Sequence, residues 1–167
     1  VRTFGRVENL MEPLPGSQHA GKQDGQFTHY GDQALILLRS LVAAGSFDQR
    51  HFADLWRNFW ATASSYVDQA TRGTLANMDK GQELDLVGSG SNDLAGAARI
   101  APLIYLLGPD VSALVQACRK QTQMTHRDEA VVDSAEFFAR VVVDVLAGKR
   151  PVMAMQDAAG ESYAALA

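Results

Sequence analysis

Along most of this chain apolar side chains return every three or four positions, the period of an α-helix with one buried face. Leu35, Leu38, Leu41 and Val42 predict a first helix, capped by Asp32 and ending near Gly45. Ser46 and Gln49 have the spacing of a capping box and open a second helix with Phe52, Leu55, Trp56 and Phe59 on its stripe. Tyr66 to Asp79 is a weaker helical stretch closed by Gly81. Ser91, Asn92 and Asp93 are cap candidates for a helix running through Leu107, kinked at Pro102 and broken at Gly108-Pro109. Val111, Leu114, Val115 and Cys118 mark the next helix. Thr125 is placed to cap the longest one, where Val131, Ala135, Phe138, Val142 and Val145 recur until Gly148. Pro151 starts a short helical tail rich in Ala and Met. No alternating pattern competes for strands, so the expected class is all-α, a multi-helix bundle in a single domain over 1–167.

The opening, Val1 to Phe27, has no such period. Pro13, Pro15, Gly16, Gly21 and Gly25 punctuate it, and a connection of that length suits a lid, a binding loop or disorder. His19 and Lys22 read there as solvated loop residues. With 15 Lys and Arg against 19 Asp and Glu, the formal charge of −4 argues against a general nucleic-acid binder. Cys118 is the only cysteine, which suits a reducing compartment such as the cytoplasm. No apolar run reaches the ~18 residues of a membrane span, and no charged-then-apolar leader is seen. The first residue is Val, from which the chain is expected to start inside a longer one.

Candidates for chemistry are Asp32, Asp68, Asp93, Thr125, His126 and the carboxylates Asp128, Glu129, Asp133 and Glu136, the last four also suiting a solvated helix face. No nucleophile motif, zinc-spaced cluster or phosphate-cradling Gly-Lys-Ser loop accompanies them. Trp56 and Trp60, four apart, most simply bury together. Gly88-Ser89-Gly90-Ser91-Asn92-Asp93 leads into the small residues Ala95-Gly96-Ala97-Ala98. Such a loop-to-helix junction is either a capped core helix or a place where backbone N–H groups face an anion. His126 either caps, binds or is structural.

Three stretches, taken in order, narrow these choices. Gly25-Gln26-Phe27-Thr28-His29-Tyr30-Gly31-Asp32-Gln33-Ala34-Leu35 resembles the first metal motif of the ADP-ribosylglycohydrolase family, an aromatic residue followed by Thr-Asp-Asp-Thr at the opening of a helix. The Gly88 stretch, ending in Ala98-Arg99-Ile100-Ala101-Pro102-Leu103, is similar to the family's glycine-rich substrate loop and the Met-Arg-Ile-Ala-Pro helix after it. Gln123-Met124-Thr125-His126 looks like the family's Leu-Thr-His approach to a core helix. The likeness runs from about Phe4 to Pro151.

The resemblance implies an all-α bundle that cleaves the bond between ADP-ribose and an acceptor with two divalent ions, Mg2+ or Mn2+. It implies a substrate site at Gly88, Ser89, Gly90, Ser91, Asn92, Asp93, Tyr30 and His126, with Asp32 catalytic and Asp32 and Gln33 on the metal. In this alignment Tyr30 takes the aromatic position and Asp32 the first aspartate, while Gly31, Gln33 and Ala34 replace the other ligands. The family's second ligand segment, Asp-x-Asp-Thr/Ser, does not occur in the 167 residues, so the chain resembles the middle of a family member. Two classes remain open: a hydrolase of ADP-ribosylated or otherwise ribosylated compounds, and a non-catalytic binding or structural relative of the crystallin kind. A helix bundle with uncovered apolar stripes is also expected to form homo-oligomers.

Overall fold

The computed structural model describes residues 8–162, so the first seven residues of the predicted opening loop lie outside it. Eight helices follow an irregular segment: α1 (His29–Ala44), α2 (Gln49–Thr62), α3 (Gln69–Asp79), α4 (Ala95–Ala98), α5 (Ala101–Leu107), α6 (Val111–Gln123), α7 (Glu129–Leu146) and α8 (Pro151–Ser162). The all-α class expected from the periodicity is what the chain adopts, and among the described residues the sole β-type pairing is an isolated bridge between Ser89 and His126. α7 lies against α6, α8 and α4, and α1 against α2 and α5. Leu37, Phe52, Trp56, Leu103, Leu114, Cys118, Ala135 and Ala139 share one core from which water is fully excluded. Each large member gains about 2–3 kcal/mol by leaving water. Trp56 and Trp60 bury together as expected, their rings 6.1 Å apart. No helix among the described residues is long and apolar enough to cross a membrane.

The helices stand where the periodicity puts them, but several caps and faces differ. α1 starts at His29 with Thr28 as N-cap, so Asp32 lies inside the first turn and caps nothing. Its buried side is His29, Gln33, Ile36, Leu37, Ser40 and Leu41, which leaves Leu38 and Val42 exposed. The face turns because Gln33 and Ser40 find polar partners inside, Trp56 and Arg99 for the one and His51 for the other. Asp48 caps α2 by accepting from His51 N–H at 3.0 Å, which displaces the Ser46–Gln49 box. Asp68 caps α3 in the same way, so that helix begins at Gln69 and not at Tyr66. Asp128 caps α7, and Thr125 is drawn into the interior instead. On α7 the buried stripe turns to Val131, Val132, Ala135 and Ala139 and leaves Phe138 exposed. The expected single helix through Leu107 is two, because Pro102 has no N–H to bond the Ala98 carbonyl one turn earlier. Gly45 does end α1, in the left-handed conformation (φ 69°) that glycine adopts without strain.

Candidate functional site

Four segments meet at one end of the bundle: the first turn of α1, the Ser65–Asp68 approach to α3, the loop 88–94, and the Thr125–His126 corner between α6 and α7. The loop is sewn to the corner. Ser89 N–H donates to the Thr125 carbonyl (3.0 Å), Arg127 N–H donates to the Ser89 carbonyl (2.8 Å), and Ser89 Oγ adds a third bond to Thr125 O (2.9 Å). Gly88 must be glycine, since a Cβ there would stand 2.1 Å from the Gln123 carbonyl oxygen. Gly88 and Ser89 are therefore buried anchors, whereas Gly90, Asn92 and Asp93 reach the surface and Ser91 is half-buried.

Asp93 ties the loop's far end. Its carboxylate accepts from Ser91 Oγ (2.6 Å) and Ala95 N–H (2.8 Å) and contacts His126 Nε2 at 3.1 Å. Partial burial works against its charge, but the Ser91 and Ala95 bonds and His126 hold the carboxyl below its ordinary value. His126 is buried, and its other ring nitrogen meets Thr125 Oγ1 at 2.8 Å. Burial, reinforced by the Arg99 charge, lowers its proton affinity against the pull of Asp93, so the ring is neutral near pH 7.

Beneath this pair lies a cation that no motif required to be buried. The Arg99 guanidinium donates to Gln121 Oε1 (2.7 Å), Gln33 Oε1 (2.6 Å), the Gln121 carbonyl (3.0 Å) and Thr125 Oγ1, and its carbon stands 5.8 Å from the Phe52 ring centre. Burial pushes its pKa down to about 10, which leaves it charged at neutral pH. Gln33, expected on the metal, spends its carbonyl on Arg99 and on Trp56 Nε1–H (3.0 Å).

Asp32 lies elsewhere in the same region. Its Oδ2 takes an ion pair from Lys22 (3.1 Å) and a hydrogen bond from Ser65 Oγ. Lys22 is thus not the solvated loop residue its surroundings in sequence suggest. With Asp32, Phe27 and Ser64 it lines a cavity of about 580 Å³. His19 is likewise folded back, its ring stacked on His29 with centroids 5.4 Å apart. Tyr30 is half exposed and tilts over His29 (3.9 Å).

His29 is the residue sequence reasoning missed. It is buried, with Nε2 3.4 Å from Asp68 Oδ2 and Nδ1 without a partner. Burial lowers its proton affinity, with Asp68 opposing and His19 assisting, and Asp32 and Asp93 also act on it. Its place directly after Phe27-Thr28, inside the quoted helix-opening motif, was the available signal.

The structure thus brings Asp93 to His126 and Tyr30 to His29, and it keeps Asp32 and Gln33 in separate networks. Among the described residues no group of three or more His, Cys, Asp or Glu is arranged to hold a metal. No curated protein matches the chain in sequence. A family model described as ADP-ribosylglycohydrolase matches residues 2–166, and the chain belongs to that family.

Proposed function

We propose that this member of the ADP-ribosylglycohydrolase family binds an ADP-ribosyl or related ribosylated group at the rim formed by Gly90, Asn92, Asp93 and Tyr30. The observation that carries this reading is the loop itself, anchored through buried Gly88 and Ser89 yet open at Gly90, where a Cβ would meet nothing within 4 Å. Ser89, Ser91 and Asp93 already use their N–H groups on the protein. A phosphate or ribose oxygen would therefore take those of Gly90 and Asn92. Asp93, held ionised and oriented by His126, is suited to accept from ribose hydroxyls.

Binding without two-metal hydrolysis is the better-supported class. A hard divalent ion needs anionic oxygens that replace its hydration water. Asp32 Oδ2 is already matched by an ammonium and a hydroxyl, Gln33 has a neutral and doubly used carbonyl, and Gly31 has no side chain. These residues do not fit a magnesium or manganese pair, and no catalytic step is assigned through one. The helix start supports a shifted alignment as well. Read from where α1 opens, the motif's aromatic and threonine fall on Phe27 and Thr28, and its two aspartates on His29 and Tyr30.

Thermal melts with ADP-ribose test the reading. A ligand at 100 times its Kd adds about 2.7 kcal/mol, a rise of several degrees in a protein this size. Gly90→Val should keep the unliganded Tm and abolish the rise. No rise in the wild type, or an equal rise in the variant, would overturn the loop assignment. Release of ADP-ribose from a modified peptide in magnesium, lost in Asp32→Asn, would restore the hydrolase class.

A further inference from the structure

We propose that Thr125 and Arg99 are positioning residues for the ligand loop: acting through His126, they hold the Asp93 carboxylate as a fixed acceptor for one sugar hydroxyl. The identity of the ligand rests on the ADP-ribosyl reading; the arrangement that holds Asp93 does not. Arg99, Thr125 and His126 are 2%, 1% and 1% exposed, so water does not compete for their donors and acceptors.

A guanidinium has donors and no acceptor. One terminal nitrogen of Arg99 serves both the Gln121 carbonyl and Thr125 Oγ1, so the Thr125 oxygen accepts there. That leaves Thr125 a single hydroxyl proton to give. His126 Nδ1 stands 2.8 Å away, whereas the Thr122 carbonyl is 3.5 Å away and already takes the Thr125 and His126 N–H groups. The hydroxyl therefore donates to Nδ1, and the ring proton sits on Nε2, 3.1 Å from Asp93 Oδ1. The other end demands the same tautomer, since an ionised carboxylate accepts and cannot donate. Gly96 makes room for the ring: a Cβ there would stand 2.7 Å from Nδ1.

Thr125 thus holds both ends of the loop. Its carbonyl takes Ser89 N–H and Oγ at the near end, and its hydroxyl acts through His126 on Asp93 at the far end. Asp93 Oδ1 is filled by His126 and Ala95 N–H, and Oδ2 takes Ser91 Oγ. Of the roughly four lone-pair sites of a carboxylate, one remains, on Oδ2. The side chain is 46% exposed, so a ligand can reach it. That site accepts from a hydroxyl and repels a phosphate, and its direction is fixed before the ligand arrives.

Thr125→Val keeps the shape and deletes the hydroxyl, whereas Thr125→Ser keeps the hydroxyl. Nitrogen-15 NMR of the His126 ring at about pH 8, without ligand, should find the proton on Nε2 in the wild type. It should stay there in Asp93→Asn, whose amide no longer dictates the tautomer, because Thr125 still donates to Nδ1. Adding Thr125→Val to that variant should bring in the Nδ1-protonated form. A proton on Nδ1 in the wild type, its move to Nδ1 in Asp93→Asn, or an unchanged ring in the double variant would overturn the proposal. Hydrogen exchange at the Ala95 amide, which donates to Asp93 Oδ1, should quicken in Thr125→Val and not in Thr125→Ser. ADP-ribose should bind about tenfold more weakly to the valine variant alone. Equal exchange or equal affinity in the two variants would count against the role of the hydroxyl. Urea melts check the fold, and Asp93→Asn, a change at a half-exposed side chain, decides the matter should the valine variant unfold. No ADP-ribose binding by the wild type would overturn the ADP-ribosyl reading instead, while the ring and exchange measurements, made without ligand, still decide the positioning.

Discussion

Replacing Arg99 asks what a buried, uncompensated cation does for this fold. The guanidinium is 2% exposed, and no carboxylate touches it; its partners are two glutamine side chains, a carbonyl and a hydroxyl. Arg99→Met removes the charge together with its desolvation cost, so the loss comes from stranded acceptors. Gln33 Oε1 keeps Trp56, and Thr125 Oγ1 keeps His126, whereas Gln121 Oε1 and the Gln121 carbonyl both lose the donor. Counting about 1–3 kcal/mol for each buried acceptor left unpaired, and part of the cost for those still shared, the expected destabilisation is about 2–4 kcal/mol. Arg99→Lys should be no better. It keeps the buried charge, yet an ammonium on a shorter reach cannot serve the fork of acceptors presented by Gln33, Gln121 and Thr125. Urea unfolding reads both, and with a slope of about 2 kcal/mol per molar the methionine variant should lose about 1–2 M of midpoint. A lysine variant as stable as wild type would refute the fork argument. A methionine variant more stable than wild type would show that the charge costs more than its bonds return.

Acid should weaken the fold through His126 and His29, whose burial holds both below the ordinary value of 6.5. Above that value both states carry neutral rings; as pH falls below it the unfolded chain takes up protons that the folded chain refuses, so stability declines until the lowered folded values are passed. Urea melts at about pH 8 and about pH 5.5 should show that loss, with a smaller one in His126→Gln; a stability that rises on acidification would contradict it. The glycines should sort by the space around them. Gly88→Ala, facing the Gln123 carbonyl at 2.1 Å, should be severely destabilising, and Gly96→Ala, 2.7 Å from His126 Nδ1, should cost about 1–3 kcal/mol, whereas Gly90→Ala should melt within a degree or two of wild type. Equal melting of all three would refute the packing around the loop.

What the chain determines locally was legible in it. A 3.6-residue period writes the all-α class, and the Trp56–Trp60 pair and the Gly45 stop depend on neighbours within one turn. Caps were less legible because several competent oxygens crowd each helix start. Asp48 and Asp128 act where Ser46 and Thr125 were expected, and the angle at which the chain enters the helix chooses among them. The site was legible as an ordered set of motifs but not as a set of contacts. Asp93 meets His126 across 33 positions, Ser65 meets Asp32 across another 33, and Gln33 meets Arg99 across 66. None of these pairings follows from residue type or spacing. Gln33 was a plausible ligand until packing turned it inward, where a buried carbonyl must be satisfied and Trp56 and Arg99 were the donors at hand. Periodicity thus decided which segments became helices; the demand that every buried polar atom find a partner decided which side chains the loop at 88–94 and the first turn of α1 could leave free for a ligand.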